Sequence, residues 1–357
     1  MGTSEGTRCV GYALVGAGAI AGVQAEALAT VPSARLVAVY NHTPEKAQAL
    51  GERWGVFWAT DFDALLARHE VNAVSICTPS GARAELAERA AYAGKHVVCE
   101  KPMEVTLERA DRIIRACDAA GVQLGVIFPA RFQPATHAAY QAVSSGRLGR
   151  LTLLSAHVPW YRTDAYYASG AWRGTWELDG GGALMNQSIH WIDLLLWFGG
   201  AASTVCGYTD RLIHPAMAVE DTGVAIVHFA NGALGTIAGT TAAYPGLPAS
   251  LAIYGEHGTI IIEERRIAVW KLADASPDEE ERMLALGAGE AASGAANPLG
   301  IGTEWHRRQF DEITGALLQG RAPAVDGREG RKAVALIRAV YDSAATGREV
   351  TVPAGPA

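Results

Sequence analysis

The sequence predicts an α/β protein of two domains, in which a doubly wound parallel sheet is followed by an α+β domain on an open, mostly antiparallel sheet. Three observations lead to this prediction. The length of 357 residues is about that of two average domains. Short apolar runs alternate with helical patterns up to residue 128, whereas several strand-like runs follow one another directly after residue 200. We therefore predict one domain over residues 1–128 and a second over 129–357.

The first domain reads as repeated strand–helix units. Strands separated by helices of about 10–15 residues need right-handed crossovers, and these place the strands in a parallel sheet. Pro44 suits the first turn of the second helix, and Asp61 can cap the third. The predicted strands cover 10–15, 36–40, 74–77, 96–99 and 124–128, and the predicted helices cover 19–30, a stretch from 44, 61–68, 82–93 and 106–119.

The second domain contains consecutive strand-like runs without helices between them, which is typical of an antiparallel sheet. Asn231-Gly232 and residues 256–258 suit tight hairpins between such strands. Residues 273–302 are rich in alanine, glycine, serine and acidic residues, and we interpret them as a surface excursion. The predicted strands cover 151–159, 203–208, 223–229, 233–241, 250–254, 259–263 and 267–272, and the predicted helices cover 133–144, 182–198, 303–319 and 328–346.

Composition narrows the class of protein. Hydrophobic residues make up 49% of the chain and charged residues 19%, so a large core can form. The net charge of −7 and an isoelectric point near 5.8 argue against a nucleic-acid partner. No apolar run approaches the roughly 18 residues of a membrane helix, and the first residues lack an apolar leader. We therefore expect a cytoplasmic protein with no membrane partner.

Cysteine and histidine patterns point away from disulfides and metals. The five cysteines are an odd number without a CxxC pair, which favours free thiols. The ten histidines include no HExxH, and His190-x-x-Asp193 alone is too small a set for ligation. We predict no metal site.

Residues 16–21 read Gly-Ala-Gly-Ala-Ile-Ala and lie between a predicted strand and a predicted helix. Gly16 permits a tight turn, and Gly18 lets a phosphate approach the backbone. The N–H groups at the start of the helix, among them those of Ala19 and Ile20, suit a pyrophosphate. This pattern predicts a Rossmann dinucleotide-binding domain, with a purely structural glycine turn as the alternative.

Asn41 and His42 end the second predicted strand, where such domains usually have an acidic residue for the adenosine ribose. Asparagine can bond a ribose hydroxyl and does not repel a 2′-phosphate, but no arginine stands beside it to attract that phosphate. We therefore expect NAD as the cofactor, with NADP possible.

Two places in the sequence suit the oxidation of an alcohol. Lys101 follows the carboxyl end of a parallel strand, where its ammonium can stabilise a developing alkoxide, although a surface lysine is the alternative. Asn186 and His190 are four residues apart on one face of a predicted helix, and an imidazole can accept a hydroxyl proton. A packed histidine in an apolar helix is the alternative there, and Asp193 either holds the imidazole or lies at the surface.

Two segments, together with the glycine turn, resemble the Gfo/Idh/MocA oxidoreductases over essentially the whole chain: Glu-Lys-Pro at 100–102 and Gly-Gly-Gly-Ala-Leu-Met-Asn-Gln-Ser-Ile-His-Trp-Ile-Asp at 180–193. They look most like the branch that oxidises the C3 hydroxyl of nucleotide-linked N-acetylglucosaminuronic acid. The resemblance implies that His190 takes the proton, that Lys101 stabilises the oxyanion and that hydride passes to nicotinamide, while Asn186 orients the substrate or the lysine. It also implies cofactor contacts from Thr78, Pro79, Glu100, Lys101, Trp172 and Arg173.

The chain departs from the family pattern at three positions. Many relatives carry aspartate where this sequence has Asn186, so His190 is the expected sole base. The family often has histidine at the position of Arg83 and asparagine at that of Ala130, so the corresponding contacts are not expected here.

The loop 160–176 is rich in tyrosine, tryptophan and arginine. Aromatic faces suit sugar rings and guanidinium groups suit carboxylates or phosphates, although a packed loop at a dimer edge is the alternative. We expect an acidic sugar or nucleotide sugar as substrate, and a homodimer or homotetramer formed through the open sheet as in relatives. The expected substrate contacts are Lys101, Arg131, Tyr161, Arg162, Asn186 and His190.

Two other functions fit much of the same sequence. An NAD-dependent glycosidase or lyase that works through transient C3 oxidation needs nearly the same residues, and only the absence of net NADH release separates it. A non-catalytic regulator that senses dinucleotide is the third possibility, and Lys101 and His190 speak against it because a sensor needs neither.

Overall fold

The structure is a computed structural model that describes residues 9–287, 295 and 302–355. Its contacts divide the chain into two compact units. The first unit comprises the described residues within 1–104, 108–129 and 302–330, and the second unit comprises those within 105–107, 130–301 and 331–357. The sequence-based boundary at 128/129 thus lies next to the end of one segment of the first unit, but residues 302–330 belong to that unit and not to the second.

The two sheets have the predicted character. In the first unit a six-stranded parallel sheet has the order β3-β2-β1-β4-β5-β6, and in the second an eight-stranded sheet has the order β13-β12-β11-β7-β10-β9-β8-β14. All neighbours in the second sheet are antiparallel except β7 and β10. The strands are β1 Val10–Val15, β2 Ala34–Tyr40, β3 Phe57–Ala59, β4 Ala73–Ile76, β5 His96–Cys99, β6 Leu124–Val126, β7 Leu151–Pro159, β8 Ala202–Asp210, β9 Thr222–Phe229, β10 Leu234–Thr240, β11 Ser250–Gly255, β12 Gly258–Glu263, β13 Arg266–Leu272 and β14 Val350–Thr351.

The helices follow the predicted pattern with three exceptions. The short helices α7 and α9 were not predicted, and the predicted helix 182–198 is divided into a π-helical turn, Ala183–Ser188, and a regular helix. The α-helices are α1 Ala19–Leu28, α2 Pro44–Trp54, α3 Phe62–Leu66, α4 Ala84–Tyr92, α5 Leu107–Ala120, α6 Pro134–Ser144, α7 Asp164–Ala168, α8 Ile189–Gly199, α9 Pro277–Leu284, α10 Glu304–Gln319 and α11 Gly327–Thr346.

Helix α10 completes the core of the first unit. Phe310 and Ile313 lie in the same buried cluster as Tyr12 of β1, and the Phe310 and Tyr12 rings meet edge to face at 5.7 Å. Full burial of one such side chain contributes about 1.5–3 kcal/mol. The helix joins this unit because its apolar face fits β1 and α1, a relation that the order of elements along the chain does not reveal.

The structure describes only part of the predicted surface excursion at 273–302. Helix α9 begins after Ser276, whose hydroxyl accepts the N–H of Glu279, and Pro277 and three acidic residues occupy its first turn. These are ordinary start signals for a helix. Residues 288–294 and 296–301 lie outside the described residues. None of the helices in the described parts of the chain has the length and apolar character to cross a membrane.

Candidate active site

The glycine turn after β1 has the geometry that a bound pyrophosphate needs. Gly16 has φ of +107°, and a Cβ at this position would lie 3.0 Å from the backbone of Cys77, so only glycine fits. At Gly18, which precedes α1, an added Cβ would meet nothing within 4 Å, so the space in front of the helix is open. Helix α1 has no side-chain cap and no acidic residue in its first turn, so its N–H groups and dipole can meet an anion. These residues fit a dinucleotide.

Asn41 orders the chain at the end of β2. Its side chain is buried, and Oδ1 accepts the N–H of Thr43 at 2.8 Å, just before α2 begins. His42 beside it is exposed. Because Asn41 is neutral, this turn repels a 2′-phosphate less than a carboxylate would.

Thr78 follows β4 at the carboxyl edge of the parallel sheet, where ligands of such sheets bind. Its hydroxyl is shielded from solvent and has no hydrogen-bond partner among the residues that the structure describes. Buried hydroxyls are rarely left in this state, so a ligand atom would satisfy it. Pro79 continues the chain into a short 3-10 turn, Ser80–Ala82.

A buried polar network holds Glu100, the residue before Lys101. Gln24 donates from Nε2 to Glu100 Oε1 at 2.7 Å, and Gln24 Oε1 accepts the hydroxyl of Ser75 at 2.6 Å. The N–H of Lys101 donates to Glu100 Oε2 at 3.1 Å. His306 of α10 lies 4.0 Å from the same carboxylate, and burial lowers the pKa of this histidine. The Glu100 carboxylate is therefore a fixed charge beside the backbone of Lys101.

In the second unit, the glycine segment 180–182 leads into the π-helical turn that carries Asn186. Glu220 accepts the N–H of Gly182 at 2.9 Å, the N–H of Leu184 at 2.8 Å and the hydroxyl of Tyr341 at 2.9 Å. The carboxyl group is buried, and burial raises its pKa to about 7 although these three donors oppose the shift. Glu220 thus satisfies N–H groups that the first turn of a helix leaves without partners.

Asn186 and His190 are the partly exposed residues of the segment 183–190, since all the others in it are buried. Both side chains are therefore partly accessible in the second unit, and a π-helical turn that continues into α8, not the single predicted α-helix, connects them. Asn186 Nδ2 donates to the buried carboxylate of Asp179, and Asn186 Oδ1 accepts from Gln187 Nε2 at 3.0 Å. The amide is held at both ends and has a carboxylate beside it.

The aromatic loop packs against this segment. The Arg162 guanidinium is buried, donates to Gln187 Oε1 at 2.8 Å and lies over the Trp160 ring, and burial lowers its pKa. Arg173 donates to the Tyr166 hydroxyl at 2.6 Å and lies over that ring at 4.2 Å. These two arginines hold the loop in place, and the expected substrate contact of Arg162 stays a prediction.

Two other neighbouring residues remain at the surface of this loop. Tyr161 is partly exposed, and its ring meets that of Tyr244 edge to face with 5.4 Å between the ring centroids. Trp172 is partly exposed, and the Cζ of Arg173 lies 4.5 Å from the centroid of its ring. Their expected contacts with substrate and cofactor stay predictions.

Arg131, an expected substrate contact, forms a buried ion pair within the second unit, and its contact with substrate stays a prediction. Its guanidinium donates two hydrogen bonds to Asp193, at 2.8 and 2.6 Å, and lies over the Trp197 ring at 5.1 Å. Both charged groups are buried. Asp193 therefore pairs with Arg131 in the interior, so it does not lie at the surface.

The sequence alone did not identify Glu220 and Asp179 as residues of the site, nor the hydrogen bonds that Arg83 donates to backbone carbonyl groups. Glu220 and Asp179 are acidic residues that no local pattern marks, and their partners become neighbours only in the folded chain. Arg83 was noted only as a departure from the family pattern. Within the described ranges, no group of three or more histidine, cysteine, aspartate or glutamate side chains could hold a metal ion.

Comparison with known proteins decides the family. The model of an oxidoreductase family with an NAD-binding Rossmann fold matches residues 10–128, and the model of the GFO/IDH/MocA C-terminal domain matches residues 136–261. The chain belongs to the Gfo/Idh/MocA oxidoreductases. Members of this family bind NAD through the first domain, so the protein is an NAD-dependent dehydrogenase that acts on alcohol groups.

Two solved structures of family members are similar over nearly the whole chain. The WlbA dehydrogenase from Bordetella pertussis, in complex with NADH and UDP-GlcNAcA, is 34% identical with a TM-score of 0.87, covering 97% of this chain and 98% of that chain. The WlbA dehydrogenase from Chromobacterium violaceum, with the same two ligands, is 32% identical with a TM-score of 0.86, covering 97% and 96%.

A curated relative is a polyol dehydrogenase. The inositol 2-dehydrogenase of Rhizobium meliloti is 27% identical over 356 residues, covering 96% of this chain and 99% of the relative. The Gfo/Idh/MocA protein described here thus has both sugar-nucleotide and polyol dehydrogenases among its relatives.

Proposed function

We propose that the protein oxidises a secondary hydroxyl, that at C3, of a nucleotide-linked acidic sugar with NAD as hydride acceptor. The observation that carries this proposal is the similarity over 97% of the chain to a dehydrogenase that binds NADH and UDP-GlcNAcA. The accessible pair of Asn186 and His190 supports it, because an amide and an imidazole suit a sugar hydroxyl.

The proposed reaction assigns one task to each polar group. His190 accepts the proton of the substrate hydroxyl, and the Lys101 ammonium stabilises the negative charge that develops on the oxygen. Asn186, held by the Asp179 carboxylate, orients the sugar. When NAD is bound, its nicotinamide ring supplies the acceptor for the hydride that leaves the carbon atom carrying this hydroxyl. Gly16, Gly18 and Thr78 are the first-unit residues whose geometry best fits that cofactor.

The test compares Lys101→Met and His190→Asn with the natural protein. Oxidation of UDP-N-acetylglucosaminuronic acid is followed at the NADH absorbance, with inositol and neutral sugars as competing candidates. We expect kcat to fall about 10²–10⁴-fold in each variant, as for removal of a general acid–base or oxyanion group. The dissociation constant of NADH, from fluorescence, should change less than about twofold because both losses concern the chemical step.

Two surface substitutions serve as controls. Lys271→Met and His69→Asn remove the same types of side chain from exposed positions and should leave kcat unchanged. Full activity of Lys101→Met or His190→Asn would refute the assigned roles. Turnover of the sugar nucleotide without net NADH would refute net dehydrogenation and favour a transient oxidation.

A further inference from the structure

We propose that Arg83 is the positioning residue for Lys101, because its guanidinium binds the backbone on both sides of this lysine and the end of the neighbouring strand. The proposal rests on the proposed role of Lys101 in oxyanion stabilisation.

The contacts of Arg83 converge on two strand ends of the first unit. Nη1 donates to the carbonyl oxygens of Glu100 and Pro102, the residues directly before and after Lys101. Nε and Nη2 donate to the carbonyl oxygen of Thr78 at 3.1 and 2.9 Å. Thr78 follows β4 and Glu100 follows β5, so one side chain bridges two adjacent strands at the edge where ligands bind.

Burial makes these hydrogen bonds strong constraints. Arg83 is 5% exposed, and Glu100 is 4% exposed. Burial lowers the pKa of the arginine, and the carboxylates of Glu100 and Glu104 oppose that shift, so the guanidinium remains a cation. A buried cation needs hydrogen-bond acceptors, and here three carbonyl oxygens accept four hydrogen bonds from the guanidinium.

The backbone of Lys101 is therefore held from three directions. Its own N–H donates to the Glu100 carboxylate, and the carbonyl groups before and after it accept from Arg83. The ammonium thus starts from a fixed Cα position, which is what electrostatic stabilisation of a developing charge requires.

The chemistry of the guanidinium explains why arginine suits this position. Its planar group has five N–H donors and can reach carbonyl oxygens on both strand ends at once. Lysine has three donors on a single nitrogen atom, and a neutral imidazole has one donor. A histidine or lysine at position 83 cannot span both strand ends, so either substitution should leave at least one carbonyl group without its donor.

The principal experiment combines Arg83→Ala, Arg83→Lys and chemical rescue. We expect kcat of Arg83→Ala, measured with saturating NAD, to fall about 10–10²-fold, the scale of a displaced reacting group. Millimolar guanidinium ion should restore kcat in Arg83→Ala by at least about fivefold because it can occupy the vacated site. Arg83→Met fills that space with a side chain and should not be rescued. Arg112→Ala, which removes a partly exposed arginine paired with Glu88, should keep kcat and show no response to guanidinium.

A double-mutant cycle separates this proposal from the proposed function. If Arg83 acts through Lys101, Arg83→Ala should cause no further loss of kcat in the Lys101→Met background. Equal loss in both backgrounds, or no effect of guanidinium on Arg83→Ala, would overturn the positioning role. Unchanged activity of Lys101→Met alone would overturn the role of Lys101 instead. Should Arg83→Ala not fold, Arg83→Lys gives the same decision, because its kcat should fall in the natural background and not in the Lys101→Met background.

Labelling of Lys101 provides a readout that needs no substrate. The rate at which an amine-specific acylating reagent modifies Lys101, measured by peptide mass analysis without cofactor, should differ between Arg83→Lys and the natural protein, because the backbone that carries the lysine loses part of its support. The rate at the exposed Lys271 should stay the same. Identical rates at Lys101 would contradict the proposal.

Discussion

Replacement of Glu220 by glutamine should change how the stability of the protein depends on pH. Glu220 is buried, accepts two N–H groups at the start of the π-helical turn, and has a pKa of about 7 instead of its ordinary value of 4.5. This difference in pKa corresponds to about 3 kcal/mol. The folded protein binds the proton more tightly than the unfolded chain, so Glu220 contributes stability that is fully present below pH 4.5 and is lost as the pH rises through 7.

A comparison of Glu220→Gln with the natural protein isolates this contribution of Glu220 to stability. His96 and His306 have pKa values lowered by burial, so they add stability as the pH rises, and they do so equally with and without Glu220. The difference in free energy of unfolding between Glu220→Gln and the natural protein should therefore shift by about 3 kcal/mol in favour of the variant between pH 5 and pH 8. Urea unfolding followed by tryptophan fluorescence measures it.

Controls make the result specific to the buried carboxyl group. Glu281→Gln makes the same chemical change at an exposed position and should give a difference in unfolding free energy that is the same at both pH values. A difference spectrum in the infrared should show a protonated carboxyl band at pH 5 that Glu220→Gln lacks. An equal effect of Glu220→Gln on stability at pH 5 and pH 8 would refute the reasoning.

Two further predictions concern the second unit. Arg131→Met alone should lower the free energy of unfolding by about 3–5 kcal/mol because it removes the ion-pair partner of the buried Asp193. Arg131→Met with Asp193→Leu should recover most of this loss. Unchanged stability of Arg131→Met with a raised KM for charged sugars would instead support a substrate contact of Arg131. The second prediction concerns the homodimer or homotetramer that we expect to form through the open sheet. Ile226 and Tyr208 are 56% and 70% exposed on neighbouring strands of this sheet, so a second copy of the chain would bury them. Ile226→Lys should therefore lower the sedimentation coefficient in sedimentation velocity. Glu256→Lys at a loop is the control, and an unchanged sedimentation coefficient of Ile226→Lys would contradict the interface.

The local patterns of the sequence were sufficient to predict all the strands except β3 and β14, and to predict the glycine turn. Strand β1 covers the predicted residues 10–15, because an apolar run followed by Gly16 specifies a strand and its end without distant partners. β3 has only three residues, two of them exposed, so no apolar periodicity marks it. Helix α10 lies where it was predicted, but its packing on β1 could not be predicted, because Tyr12 and Thr314, which share a hydrogen bond, are 302 residues apart in the chain.

In the candidate site, too, local patterns identify some residues, whereas others depend on partners that are distant in the chain. Lys101, Asn186 and His190 come from recognisable local segments, whereas the groups that hold those segments come from elsewhere. Glu220 is 38 residues from Gly182, and Asp193 is 62 residues from Arg131. Single-sequence patterns report on residues within a few turns, and a buried charge is identified only through the partner that the fold supplies.

The charges of the two supporting residues follow from the backbone groups that they meet. The carboxyl ends of parallel strands present carbonyl oxygens, and a buried cation, Arg83, satisfies those around Lys101. The start of a helical segment presents N–H groups, and the oxygens of a buried carboxyl group, that of Glu220, accept those of Gly182 and Leu184 before Asn186. A substitution that keeps the size but reverses donor and acceptor should therefore do more damage at either position than one that shortens the side chain, because it places two like groups face to face. The free energies of unfolding of Glu220→Gln and Glu220→Asp at pH 8 test this prediction. Glutamine turns its Nε2 toward the N–H of Gly182 or Leu184, whereas aspartate keeps only acceptors. A larger loss of stability for aspartate would show that the length of the side chain, and not its donor or acceptor character, decides the stability of the site.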